Sequence, residues 1–121
     1  MKNKDIINLM DGLFELSKLN LPLNIKTSYA LARNYQVISP IANLIDQQRI
    51  DLYKKYGELT EDNTYKVSNE KLELLEKELN ELLEIDTKVP IINIQLDNFG
   101  EATIPFNIIE KLLPIIKESE V

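Results

Sequence analysis

Between residues 6 and 14, Ile6, Ile7, Met10, Leu13 and Phe14 recur at spacings of one, three and four, with Asp5, Asp11, Glu15 and Lys18 mostly on the other side. That period predicts an amphipathic helix. From Leu19 the period shortens to two. Leu19, Leu21, Leu23 and Ile25 alternate with Asn20, Pro22, Asn24 and Lys26, which predicts a short strand that Pro22 restricts to an edge or an extended connector.

A long helix follows over 28–56, capped by Thr27 or Ser28, with a stripe of Leu31, Tyr35, Ile38, Ala42, Ile45, Leu52 and Tyr56 interrupted by Arg49. Pro40 lies inside it, where a proline removes one hydrogen bond and crowds the preceding turn at a cost of roughly 3 kcal/mol. A kink at Ser39-Pro40 accommodates this; the alternative is two helices, the second capped by Ser39 with Pro40 in its first turn. Gly57 is a C-terminal cap after Lys54, Lys55 and Tyr56, whose charges suit the helix dipole. Residues 58–67 read as a polar turn with a short extended piece at Tyr65–Val67.

Ser68 caps the next helix, with Val67 and Leu72 spaced for a hydrophobic staple. Leu72, Leu75, Leu79 and Leu82 then follow the pattern of a helix lying along another helix. The natural partner is the helix 28–56, giving an antiparallel hairpin. Val89 and Ile91 lie on one parity and Ile92, Ile94 and Leu96 on the other, so a strand over 89–96 needs a bulge near Ile91-Ile92; it can pair with 19–25. Asp97–Gly100 is a turn. A closing helix starts with Pro105 in its first turn, buries Ile108, Ile109, Leu112 and Leu113, and is kinked or ended by Pro114. The expected architecture is a single α+β, mostly helical domain over 1–121: a long antiparallel helical hairpin, a short two-stranded extended pair and flanking terminal helices.

Composition narrows the chemistry. At 121 residues, 44% apolar and 28% charged, the chain has enough apolar material for one modest core. It contains neither cysteine nor histidine, which excludes disulfides, thiolate metal sites and the ordinary catalytic triads. Its three glycines, at 12, 57 and 100, are too far apart for a phosphate-cradling loop. No signal peptide or membrane-length apolar run is evident, so the expected compartment is the cytoplasm. The net charge of −6 argues against direct nucleic-acid binding. That charge is concentrated: residues 58–86 carry three Lys/Arg against ten Asp/Glu, whereas 1–57 carry eight against five.

Two sets of side chains are candidates for partner binding. Glu73, Glu76 and Glu81, with Glu78 and Glu84, line the outside of the helix 68–84, where an acidic face can compete with nucleic acid for a basic groove on another protein. The alternative is a solvated helix held by i,i+4 pairs such as Glu73–Lys77. Tyr53 and Tyr65, with Tyr29, are amphipathic aromatics of the kind enriched at binding hot spots, whereas Tyr35 and Tyr56 fall on the core stripe. Leu44, Ile50 and Leu83 lie off the main seams and would suit a homodimer or partner interface. Asp46, Asp51, Glu61 and Asp62 are the carboxylates available to a metal-dependent enzyme, but acids on helix faces and loops ordinarily serve solvation. Neither a catalytic, a metal nor a cofactor site is expected.

The segments KNKDIIN, LPLNIKTSYALARN, DLYKKYGE, NELLEID and IP-x3-I-x2-LLP together resemble a family of short phage and prophage proteins whose domain has no assigned function. The resemblance implies action inside a bacterial cell on a phage or host protein. It suggests an accessory or assembly factor or, as an alternative, an inhibitor of a bacterial defence system; it brings no active-site residues.

Overall fold

Helices carry the architecture of the computed structural model, which describes residues 1–118; the last three residues of the expected domain lie outside the described residues. The first helix, α1 (Asn3–Ser17), buries Ile6, Leu9, Leu13 and Leu16. This face is rotated from the expected stripe: Ile7 and Met10 are half-buried and Phe14 is 46% exposed. The apolar residues of α1 span more arc than one buried face uses, so a second flank is left at the surface.

Residues 18–24 form no strand; Asn20 adopts a left-handed conformation (φ 51°), which Asn tolerates better than most side chains. Neither Thr27 nor Ser28 is the cap of α2 (Ile25–Tyr56). Asn24 caps it instead, its Oδ1 accepting from the Thr27 N–H at 2.8 Å, since Asn is as good a cap as Ser or Thr and the next residues can already be helical. Helix α2 runs through Pro40 as one element. The side chain of Pro40 is exposed, and the Ser39 hydroxyl donates to the Tyr35 carbonyl at 2.6 Å in the preceding turn.

After α2 come β1 (Gly57–Leu59) and β2 (Tyr65–Val67), an antiparallel pair in which Gly57 faces Val67 and Leu59 faces Tyr65. The polar turn is therefore a hairpin, with Asn63 left-handed at its tip (φ 60°). Helix α3 (Asn69–Glu84) follows Ser68, which occupies the cap position without a side-chain hydrogen bond. Leu75 is buried and Leu79 and Leu82 half-buried against the rest of the fold, whereas Leu72 remains exposed. Lys55 reaches Glu78 at 3.3 Å across the resulting helical hairpin.

The expected strand over 89–96, its bulge and its pairing with 19–25 are replaced by a shorter arrangement. Only β3 (Ile94–Gln95) is a strand, and it pairs in parallel with β4 (Ile116–Lys117). The chain before it is held by side chains: Asn34, fully buried on α2, donates from Nδ2 to the Ile92 carbonyl at 2.8 Å and accepts the Ile92 N–H at Oδ1 at 2.7 Å. The carboxamide stands in for a neighbouring strand. Residues 96–99 form a 3-10 turn ending at Gly100, whose φ of 60° suits glycine. Pro105 precedes α4 (Phe106–Leu112) as its cap residue, and Pro114 lies in the 3-10 turn that ends the helix, leaving Ile108 and Leu112 buried but Leu113 exposed.

Helix α1 is central, packing against both α2 and α4. A Cβ on Gly12 would lie 2.7 Å from the Lys111 Cβ, so α4 closes on α1 only because position 12 has no side chain. The buried side chains of α1, α2, α4 and the 94–99 segment form one cluster.

Candidate functional site

Antiparallel α1 and α2 leave an open groove along one side of their seam. Toward the 18–24 connector it widens into a cavity of about 560 Å³ lined by Leu13, Phe14, Leu21, Leu23, Leu31 and Tyr35, with Ala32 and Gln36 on the α2 wall. A second hollow of about 450 Å³ continues it past Phe14 and Tyr35, which line both, to Ile7, Met10, Ala42, Asp11 and Asp46. Either volume falls in the range of about 300–1,000 Å³ usual for ligand sites. The wall of the first part is mainly apolar, with Ser17, Asn20, Ser28 and Gln36 among it, and the second part carries two carboxylates and no cation. Lys18 places its ammonium over the Phe14 ring, 4.3 Å from the centroid.

The groove has one side open because the others are filled. Lys111 binds both Asp11 and, at 3.2 Å, Glu15, fixing α4 along α1. The two carboxylates, Asp11 first, raise the Lys111 pKa above its ordinary value. On α2, Asn34 and Ala32 point about 160° apart at about 100° per residue, so the segment held by Asn34 covers a different face from the one lining the groove.

The acidic candidates occupy a separate surface. Glu73, Glu76 and Glu81, together with Glu70, are exposed and fall within an arc of about 140° on α3 at about 100° per residue, opposite Leu75. No ion pair joins Glu73 to Lys77 among the described residues, so the expected i,i+4 pair is not formed. The other acids are engaged. Glu84 binds Lys2 and Lys4 at 2.6 and 2.9 Å, and these hydrogen bonds hold its carboxyl down to about 2. The Tyr56 hydroxyl first, then Lys55, holds the Glu78 carboxyl below the usual range.

Tyr53 is at the margin of exposure and Tyr65 is half-buried beside Gly57. Among the described residues no hydrogen bond joins either to Glu73, Glu76 or Glu81. Tyr29 and Leu44 are well exposed, Ile50 less so, and Leu83 is half-buried. Asp51 accepts from Gln47 at 3.0 Å and Asp46 lies 3.9 Å from Arg49; among the described residues no group of three or more acids is placed to hold a metal ion. Among the described residues no helix is long and apolar enough to cross a membrane.

Sequence reasoning missed the groove, although its signal was present. Ile7, Met10 and Phe14 belong to a flank of α1 that the buried face does not need, and Ala32 and Ala42 keep the facing wall of α2 low. No family model, curated protein or solved structure matches the chain.

Proposed function

We propose that this chain is a non-catalytic, stoichiometric protein-binding module acting on a phage or host protein in the bacterial cytoplasm, as an accessory or assembly factor. The observation that carries the reading is the α1–α2 groove, a long hollow with a mixed, mainly apolar lining in which a large aromatic, Phe14, is 46% exposed. Concave, mainly apolar surface with a few placed polar groups is where binding partners are ordinarily held. The phage setting implied by the resemblance of the five sequence segments is consistent with such a role.

The test is in-cell photo-crosslinking from a crosslinker at Gln36, in the groove wall, compared with one at Lys26, followed by sizing of the adduct. A one-to-one adduct with a single protein from position 36 supports the reading. An absence of adducts from position 36 in both infected and uninfected cells would sink it.

A second reading is favoured by the alignment of Glu70, Glu73, Glu76 and Glu81 on the outer face of α3: inhibition of a bacterial defence protein by occupying its nucleic-acid groove. Charge reversal at Glu73, Glu76 and Glu81 then abolishes binding. If every partner is retained, the acidic-face reading fails and the groove reading is untouched.

A further inference from the structure

Resting on the binding role above, we propose that the occupant of the α1–α2 groove is a single amphipathic helix of a partner protein, with apolar anchors on one face and a lysine or arginine that seats at the Asp11/Asp46 lip. Three observations lead there.

The first is backbone accounting. Both walls are α-helices, whose N–H and C=O groups are already paired along their length, so the trough offers no ladder to an extended peptide. A strand laid in it would bury its own backbone groups unpaired, each at the full cost of its lost hydration. A helix brings its backbone hydrogen bonds with it, and this is the helix-in-groove mode of recognition.

The second is shape. The α2 wall is low at Ala32 and at Ala42 and rises between them at Tyr35, a profile that side chains of a third helix, at the ordinary interaxial distance of about 8–10 Å, can straddle. Met10 and Phe14 stand on the α1 side, and methionine adapts to irregular partners. The lining runs from Ile7 to Ser17 on α1 and from Ser28 to Asp46 on α2, about 15 Å and about 27 Å at 1.5 Å per residue. Three to five turns of helix match that length.

The third is charge complementarity. Asp11 and Asp46 face the lip from opposite walls with no cation among the lining residues. Lys111 pairs with Asp11, whereas among the described residues Asp46 has only Arg49, at 3.9 Å, and its side chain is 65% exposed. A cation in the occupant answers that charge. Lys18, over Phe14 toward the other end, disfavours a cation there, so the register of the charged position is fixed.

The proposal is tested by display selection of helix-forming 18-residue peptides on the immobilised full chain, with parallel selections on Ala32→Trp and Asp46→Lys. Both positions are exposed, so neither change should unfold the chain, and circular dichroism checks this. The expected result is enrichment of peptides with apolar residues at i, i+4 and i+7 and a Lys or Arg at a constant offset. Enrichment falls at least about tenfold on Ala32→Trp, and the offset position switches to Asp or Glu on Asp46→Lys. Peptides that lack helical spacing, that are retained by Ala32→Trp, or whose charge preference ignores Asp46→Lys overturn the proposal. A failed selection together with a positive crosslink from position 36 would overturn the helical occupant alone; a negative crosslink would remove the binding reading beneath it.

Discussion

Replacing Asn34 by alanine removes two hydrogen bonds at once. Asn34 is fully buried, and its carboxamide is the partner of both the N–H and the C=O of Ile92, at 2.7 and 2.8 Å. Each backbone group left unpaired costs about 1–3 kcal/mol. Ile92 lies at the protein edge, 38% exposed, so water can reach it in part and the lower half of each range applies. Asn34→Ala should therefore lose about 3 kcal/mol, a large fraction of the roughly 5–15 kcal/mol that holds an ordinary domain together. For a chain of this size that is a fall in Tm of roughly 10–15 °C. Urea unfolding followed by far-ultraviolet circular dichroism gives the free energy by linear extrapolation, and hydrogen exchange at the Ile92 amide reports the local bond. Asn34→Asp separates hydrogen bonding from packing: it keeps the shape and the acceptor but sets a buried carboxylate against the Ile92 carbonyl. It should cost at least as much as alanine at neutral pH. Loss of less than about 0.5 kcal/mol in Asn34→Ala, or a near-neutral Asn34→Asp, would refute the account.

Gly12→Ala gains about 1 kcal/mol of helix propensity but puts a methyl 2.7 Å from the Lys111 Cβ. Overpacking of that kind costs about 1–3 kcal/mol, so the net result in chemical denaturation should be destabilisation by up to about 2 kcal/mol. Pro40→Ala restores an N–H to the middle of a helix that is already continuous, so it should raise stability by about 1–3 kcal/mol; a fall in Tm would mean that the proline geometry is needed. The Glu84 carboxyl is held at about 2 in the folded chain against an ordinary 4.5. A group depressed on folding stabilises above its unfolded pKa and loses that effect as pH falls through the folded one. The contribution is thus present above about pH 4.5 and declines toward pH 2. In Lys2→Ala/Lys4→Ala the carboxyl resonance of Glu84 should titrate near the ordinary value, and an unchanged titration would dismiss both lysines as its cause.

Much of the helical framework was legible because its signals are short-range. The stripe Ile38, Ala42 and Ile45 lies in the core of α2 as its spacing predicts, Gly57 follows the last turn, and Pro105 stands at the start of α4. The acidic outer face of α3 followed from periodicity in the same way. The groove did not, because the pattern of α1 contains two apolar flanks and nothing local says which is covered. Asn34 was also invisible: a polar residue on an apolar stripe acquires its purpose only when Ile92, 58 positions later, arrives beside it.

The sequence by itself determined that the chain is mostly helical, that it is acidic over residues 58–86, and that it contains neither cysteine nor histidine. These are properties of residue type and of spacings within a few turns. Tertiary structure decided the rest. Parallel pairing of Ile94 with Ile116, the placement of α4 over Gly12 and the open side of the α1–α2 seam all join residues distant in the chain. Alternation and turn residues fix a strand's potential to pair but not its partner, so 19–25, which alternates well, joins no strand among the described residues, while two residues at 94–95 find their partner at 116–117.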